Sequence, residues 1–259
     1  MLSFKKSAQK DSTNFSTPVA QIVDPDGGYN DGKTLFIDSS KIDAPAFKKA
    51  IELQDTEEFQ IYPTAKPERV YIVGPNGSGK SWQAGKYCES YNKANPKNRI
   101  IMFSPHERDE AYSKVANLII MDLSDDSLFE EPMDITMLKN CLVIFDDCDS
   151  HQNPKAKKWL DSMEKDVILN GRKYGIYCLS IAHMMMNGAS TRHKIAESNR
   201  TIFFPHAGSS YHIVRYLTVY AGLSKEQIAA IMSLKSRWVC LSSSYPQYVL
   251  FDTGCYVLK

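Results

Sequence analysis

Residues 70–81 read Val70-Tyr71-Ile72-Val73-Gly74-Pro75-Asn76-Gly77-Ser78-Gly79-Lys80-Ser81. An apolar run of strand length meets a glycine-rich turn of the form G-x4-G-K-S, and a stretch with helical spacing, Ser81–Asn95, follows. Strand before and helix after are the context that separates a phosphate-binding loop from a chance glycine-rich turn. The glycines let the backbone wrap a phosphate chain with its N–H groups aimed inward, and the helix start adds a dipole that favours anions. Gly74, Pro75, Asn76, Gly77, Ser78, Gly79, Lys80, Ser81 and Trp82 therefore form the expected nucleotide cradle. Lys80 is placed to reach β- and γ-phosphates, and the Ser81 hydroxyl to bind Mg2+.

Working outward, short runs rich in Ile, Val and Phe recur at Val70–Val73, Ile100–Phe103, Leu118–Met121, Leu142–Phe145, Ile176–Ile181 and Ile202–Phe204. They are largely apolar throughout rather than alternating, as expected of strands covered on both faces. Helical patterns lie between them. Ser81–Asn95 stops before Pro96. Asn153-Pro154, a capping residue followed by proline at the first helical position, opens a stripe of Trp159, Leu160, Met163 and Val167 that reaches Gly171. This alternation predicts a three-layer α/β domain with a mainly parallel central sheet. Near the C-terminus, Ser224-x-x-Gln227 is a capping box opening a short helix. Trp238–Leu241 and Tyr248–Phe251 flank a Ser/Pro turn and suggest a hairpin. At the other end, residues 1–17 read as a flexible arm and 18–65 as an N-terminal extension packing on the core, leaving 66–259 as the phosphate-binding domain with its C-terminal helix and hairpin.

Composition sets bounds. The 259 residues carry 31 Lys+Arg against 30 Asp+Glu, so a net charge of +1 gives no global attraction to nucleic acid or membrane, and a polyanion must be held by a local patch. The longest apolar runs, such as Cys141–Phe145, fall far short of the roughly 20 residues a membrane helix requires. The first 20 residues are polar and lack the apolar stretch of a secretory signal. The six cysteines include no C-x-x-C pair and read as reduced, buried thiols.

A phosphate loop needs a second carboxylate from a neighbouring strand to hold the metal. Cys141-Leu142-Val143-Ile144-Phe145-Asp146-Asp147 supplies it: Asp146 ends the strand as the Mg2+ partner, and Asp147 either orients the attacking water or caps the following loop. Simple nucleotide kinases usually lack this second acid. Guanine recognition through N-K-x-D is unsupported, because Asn92-Lys93-Ala94-Asn95 lacks the Asp.

Further along, Gly171-Arg172-Lys173-Tyr174-Gly175 precedes the strand that ends in His183. The phosphate loop, the strand with two acids, G-R-x-x-G before the next strand and a polar residue just beyond it resemble the FtsK/HerA group of ring ATPases over about residues 70–205. Within it, the Asp-Asp pair, the small size and the stretch from Thr191-Arg192-His193 to Phe203-Phe204-Pro205 resemble the poxvirus-type genome-packaging ATPases of large DNA viruses and virophages; Ser236-Arg237-Trp238 is a further point of likeness. The resemblance implies a RecA-like P-loop fold, hydrolysis of ATP with Mg2+, a homo-oligomeric ring, and transport of double-stranded DNA into a capsid beside capsid or portal-vertex proteins, in the virion or a viral factory in the host cytoplasm. It implies that Arg172 reaches a neighbouring subunit's nucleotide, although a cation there also suits the carbonyl end of the preceding helix; Lys173 is the adjacent fallback. His183 stands where the group commonly has Gln or Asn, and Asp147 where it mostly has Glu. Lys155, Lys157 and Lys158, and separately Arg192-His193-Lys194, are candidate DNA contacts that would grip phosphates irrespective of sequence. Met184-Met185-Met186 reads as core or subunit contact. A kinase and a nucleotide-gated scaffold with little hydrolysis remain as other readings.

Overall fold

The computed structural model describes residues 2–5, 16–38, 50–54, 56–106, 109–124 and 126–258. The chain first lays down β1 (Leu2–Lys5), β2 (Ser16–Val23), β3 (Thr34–Asp38), β4 (Ala50–Glu52) and β5 (Glu58–Ile61). Of these, β1, β3, β2 and β5 pair antiparallel, in that order, as a small sheet. Part of the segment expected to be a flexible arm is thus a strand. Phe4 stacks on Phe59 with ring centroids 6.3 Å apart, and Leu2 packs against the core, which gives this short edge strand an apolar anchor. Residues 6–15 lie outside the described residues.

The main domain follows: β6 (Arg69–Val73), α1 (Lys80–Ala94), β7 (Ile100–Phe103), β8 (Leu118–Met121), β9 (Leu142–Asp146), α2 (Pro154–Asn170), β10 (Tyr177–Ala182), α3 (Ala189–Glu197), β11 (Arg200–Phe203), α4 (Ser210–Val219), α5 (Lys225–Met232), β12 (Val239–Ser242), β13 (Tyr248–Phe251) and β14 (Gly254–Val257). The large sheet runs β4-β14-β13-β12-β11-β6-β10-β9-β7-β8. Its half from β11 to β8 is parallel throughout. From β12 onward the pairing is antiparallel. The expected hairpin forms as β12 and β13, and β14 extends it to a three-stranded meander that continues the main sheet past β11 and pairs with β4. Sheet continuity removes the exposed edge that a free hairpin would present.

Strand residues partition by parity, as the two-residue period of a strand demands. Ile72, Leu142, Ile144, Leu179, Ile181 and Ile202 face α1 (Tyr87, Cys88, Tyr91) and the small sheet. Their neighbours Val143, Phe145 and Cys178 face α2, while Tyr71, Val73 and Phe203 face α4 and α5. Three layers result, as predicted. The caps form as read: the Asn153 side chain accepts from the Lys155 and Ala156 N–H groups, and both halves of the Ser224/Gln227 capping box are made. All six cysteines are free and buried. Among the described residues, no helix is long and apolar enough to cross a membrane.

Candidate functional site

Parallel register brings the chemistry to one edge. Ile72 on β6 lies level with Ile181 on β10, which lies level with Asp146 on β9. One or two residues further on, all three strands end, so Gly74, Asp147 and His183 emerge side by side at the carboxyl edge; the Gly74 N–H donates to the Ala182 carbonyl at 3.2 Å. Ligands of open α/β sheets bind outside this edge.

The loop 74–79 wraps back to start α1. Gly79 has φ 108°, which an L side chain rarely adopts, so a glycine is required there. At Gly74 the reason is space: a Cβ would sit 2.6 Å from Ser78 Oγ and 2.7 Å from the Phe204 ring. Asn76, Gly77, Gly79, Lys80, Ser81, Trp82 and Asp147 line an open cleft of about 610 Å3 with Lys86, Asp109 and Lys114. Lys80 is buried, and its Nζ donates to the Pro75 carbonyl at 3.4 Å. The same Nζ lies 3.3 Å from His183 Nδ1, while His183 Nε2 lies 3.1 Å from Asp147 Oδ2. An ammonium can only donate, so Nδ1 accepts and Nε2 carries the hydrogen that faces Asp147. Asp147 Oδ1 is buried, with no hydrogen-bond partner among the described residues.

Asp146 stands between these groups electrostatically. Burial, and next the charge of Asp147, push its carboxyl up to about 6, with Lys80 and His106 pulling partly back and Asp109 adding to the rise. A carboxylate this poorly solvated is a good place for a divalent cation. The orphaned Asp147 oxygen and the N-terminus of α1 also fit a Mg2+–triphosphate group, and Ser81 and Asp146 are the residues that would hold the metal.

Arg172 sits elsewhere. It is exposed in the short helical turn Gly171–Tyr174 that precedes β10, at the amino edge of the sheet. The six residues of β10 separate it from the phosphate loop by roughly 20 Å. Among the described residues its guanidinium makes no hydrogen bond or ion pair, so it does not tie down the carbonyl end of α2. Lys173 shares that exposed turn.

The two basic candidates separate. Lys155, Lys157 and Lys158 are exposed on the first turns of α2, and Lys155 pairs with Glu130 at 2.5 Å. The Arg192-His193-Lys194 reading is corrected: Lys194 is buried in α3 and pairs with the buried Glu164 of α2 at 2.8 Å, leaving only Arg192 exposed. An intramolecular partner took the charge that the sequence displayed. Of the three methionines, Met185 is in the core and Met184 is exposed; the carbonyls of both accept from the Tyr71 hydroxyl, at 3.4 and 2.9 Å. The sequence reading gave no role to Arg237, whose guanidinium donates to the Ser78 and Gly77 carbonyls at 3.4 and 3.5 Å. Its only signal was the Ser236-Arg237-Trp238 likeness.

Fold and site together define the class: a P-loop NTPase fold, with a phosphate loop and two consecutive acids at one sheet edge. The chain belongs to the family of a virophage protein, being 31% identical over 248 residues to "Uncharacterized protein V3" of Sputnik virophage, across 94% of this chain and 96% of that one. No family model matches it. Among solved structures it is similar to the genome packaging NTPase B204 from Sulfolobus turreted icosahedral virus 2 in complex with AMP, with a TM-score of 0.50 and 14% identity over 72% of this chain and 97% of that one. The same protein in complex with ATP-gammaS gives a TM-score of 0.49 at 16% identity, over 72% and 97%. At such identity the likeness is one of fold.

Proposed function

We propose that this chain is an ATPase that works as a homo-oligomeric ring and drives double-stranded DNA into a viral capsid. The observation that carries the hydrolytic part is the Lys80–His183–Asp147 chain ending in a buried carboxylate oxygen with no partner among the described residues. The packaging part is supported by the B204 genome packaging NTPase, whose fold this chain shares.

Ser81 and Asp146 would hold Mg2+, which would supply neutralisation of the phosphates' charge. The chain's own residues do the rest. Loop N–H groups at the start of α1 bind the phosphates, and Lys80 turns from Pro75 and His183 to the γ-phosphate. Asp147 Oδ1 accepts a hydrogen bond from the attacking water and aligns it with the γ-phosphorus, while the His183 Nε2–H holds the other oxygen and so sets the carboxylate plane. Arg172, remote from its own cleft, serves the nucleotide of the next protomer, where a planar fixed charge suits the transferring phosphoryl oxygens. Head-to-tail contacts of that kind close into a ring when the rotation between protomers permits. Lys157 and Lys158, at the end of α2 nearer the nucleotide, are the proposed DNA-backbone contacts. Capsid or portal-vertex proteins are the proposed docking partners, and the viral factory and virion the sites of action.

Two variants test this together. Lys80→Ala has no working phosphate loop and Arg172→Ala no finger, so each alone should hydrolyse ATP at least ~10³-fold slower than the parent. Co-assembled, a Lys80→Ala subunit can lend its Arg172 to an Arg172→Ala neighbour, and phosphate release stimulated by duplex DNA should return. Full activity in Arg172→Ala alone removes the shared site, and transfer of phosphate to an acceptor other than water makes the protein a kinase.

A further inference from the structure

The cleft that receives phosphates says nothing about the base. A second cavity, of about 330 Å3, lies on the other side of the loop and is lined by Gly79, Trp82, Gln83, Phe204, Arg237 and Trp238, with Glu58 and Asp252 also on its wall. Its size is at the lower end of the range for small-molecule sites, and its aromatic lining is what such sites use. It is continuous with the phosphate loop: a Cβ at Gly79 would lie 3.5 Å from Phe204 and 3.7 Å from Arg237 Nε. Trp82, the residue after Ser81, borders both the cleft and this cavity. A nucleotide with its phosphates on the loop therefore reaches the cavity with its sugar passing Trp82.

The second observation is Gln83. It is only 4% exposed, yet its Nε2 is buried with no hydrogen-bond partner among the described residues. A buried amide without a partner is unfavourable, and a ligand that pairs with it recovers that cost. Gln83 lies one helical turn from Gly79, to whose carbonyl its N–H donates at 3.0 Å, so its position is fixed relative to the phosphate loop.

We infer that this cavity is the base site, that Trp82, Phe204 and Trp238 receive the ring by stacking, and that the Gln83 carboxamide selects adenine. Stacking accepts any base. A carboxamide offers a donor and an acceptor in one plane, which matches the ring nitrogen and exocyclic amino group on one edge of adenine. Glu58 and Asp252, being acceptors, suit the same amino group. Arg237 is held against the loop by the Gly77 and Ser78 carbonyls, where it closes the cavity over the sugar.

This inference rests on the nucleotide-binding reading, and the test separates the two. Calorimetric titration with Mg2+ and ATP, GTP or inorganic tripolyphosphate is compared for the parent chain, Gln83→Met and Gln83→Glu. The Met variant keeps the volume and removes the orphaned amide, so it folds at least as well as the parent, as its melting temperature will register. The parent should prefer ATP over GTP. Gln83→Met should lower that preference by roughly 10- to 100-fold, and Gln83→Glu, which loses the donor, should shift it towards GTP, with tripolyphosphate affinity unchanged in both. If both variants keep the parent's ATP preference, or if tripolyphosphate binds the parent as tightly as ATP, the base-site assignment fails while the phosphate site stands. If neither ATP nor tripolyphosphate binds, the nucleotide reading falls and takes this one with it.

Discussion

Asp146 binds its proton more tightly in the folded chain than an ordinary carboxyl does, because burial and the adjacent Asp147 both oppose its charge. Its folded pKa of about 6 exceeds the reference 3.8. Between those values the folded state holds more protons than the unfolded one, so stability falls as pH rises through the window and is level above it. The full loss is on the order of 2–3 kcal/mol. Asp146→Asn should therefore make the nucleotide-free protein more stable than the parent at pH 7.5 in urea denaturation, with the difference closing near pH 3.5. The same substitution should abolish Mg2+-dependent ATP hydrolysis. Equal stability at pH 7.5 would mean that Asp146 is better solvated than its surroundings indicate. His183 makes a separate case, since it touches both Lys80 and Asp147. His183→Ala should lower kcat by roughly 10- to 100-fold and leave KM nearly unchanged, because binding lies in the loop while water alignment depends on Asp147. His183→Gln, which keeps a donor towards Asp147, should recover most of that rate.

Elements show where sequence patterns end and tertiary packing takes over. The unit of β6, loop and α1 was legible because glycine spacing, lysine and strand propensity agree locally. So were β7, β8, β9 and β10, whose runs are apolar on both parities. The small sheet was not, since its strands are short and separated by turns such as that around Asp24, and their pairing is set by contacts distant in sequence. α3 and α4 were missed for a related reason: both are short, and although α4 buries the stripe Ile213, Tyr216 and Leu217, the exposed Tyr211, Val214 and Val219 blur it in the sequence. Strand order is a property of the assembled sheet and could not be read from the runs themselves. Nor did the sequence reveal the turn after β9. Asp147 adopts φ 50°, ψ 29°, a left-handed conformation that Asp and Asn tolerate better than longer side chains. This offers a physical reason for Asp where the resemblance leads one to expect Glu. Asp147→Glu should lower the melting temperature, at a cost of about 0.5–1 kcal/mol, and Asp147→Gly should raise it by a similar amount while losing hydrolysis. A higher melting temperature for Asp147→Glu would contradict the backbone argument.

At the scale of the molecule, one buried ion pair joins the layers. Arg200, the first residue of β11, and Glu68, just before β6, are each 2% exposed at the side chain and lie 3.1 Å apart. The Arg200 guanidinium also donates to the carbonyls of Tyr62 at 2.8 Å, Pro18 at 3.2 Å and Val19 at 3.4 Å, which fastens the small sheet to the large one. Glu68 Oε1 accepts from the Tyr87 hydroxyl of α1 at 2.8 Å and from the Thr64 N–H at 3.0 Å. In the sequence Arg200 is one more polar residue ahead of an apolar run; only the packed sheets reveal that three elements converge on it. Buried pairs of this kind contribute little against a well-packed apolar substitute, but removing one partner strands the other charge. Arg200→Met should thus destabilise the chain by about 3–5 kcal/mol. Glu68→Gln combined with Arg200→Met should lose less than the sum of the single changes, by up to ~3 kcal/mol in a urea double-mutant cycle. Because the lost donors leave the carbonyls of Pro18, Val19 and Tyr62 without their partner, amide exchange in Arg200→Met should accelerate first in β2 and β5, ahead of β6 and β10. Uniform acceleration across both sheets would instead make the pair part of a single cooperative unit, with the small sheet no more separable than any strand of the large one.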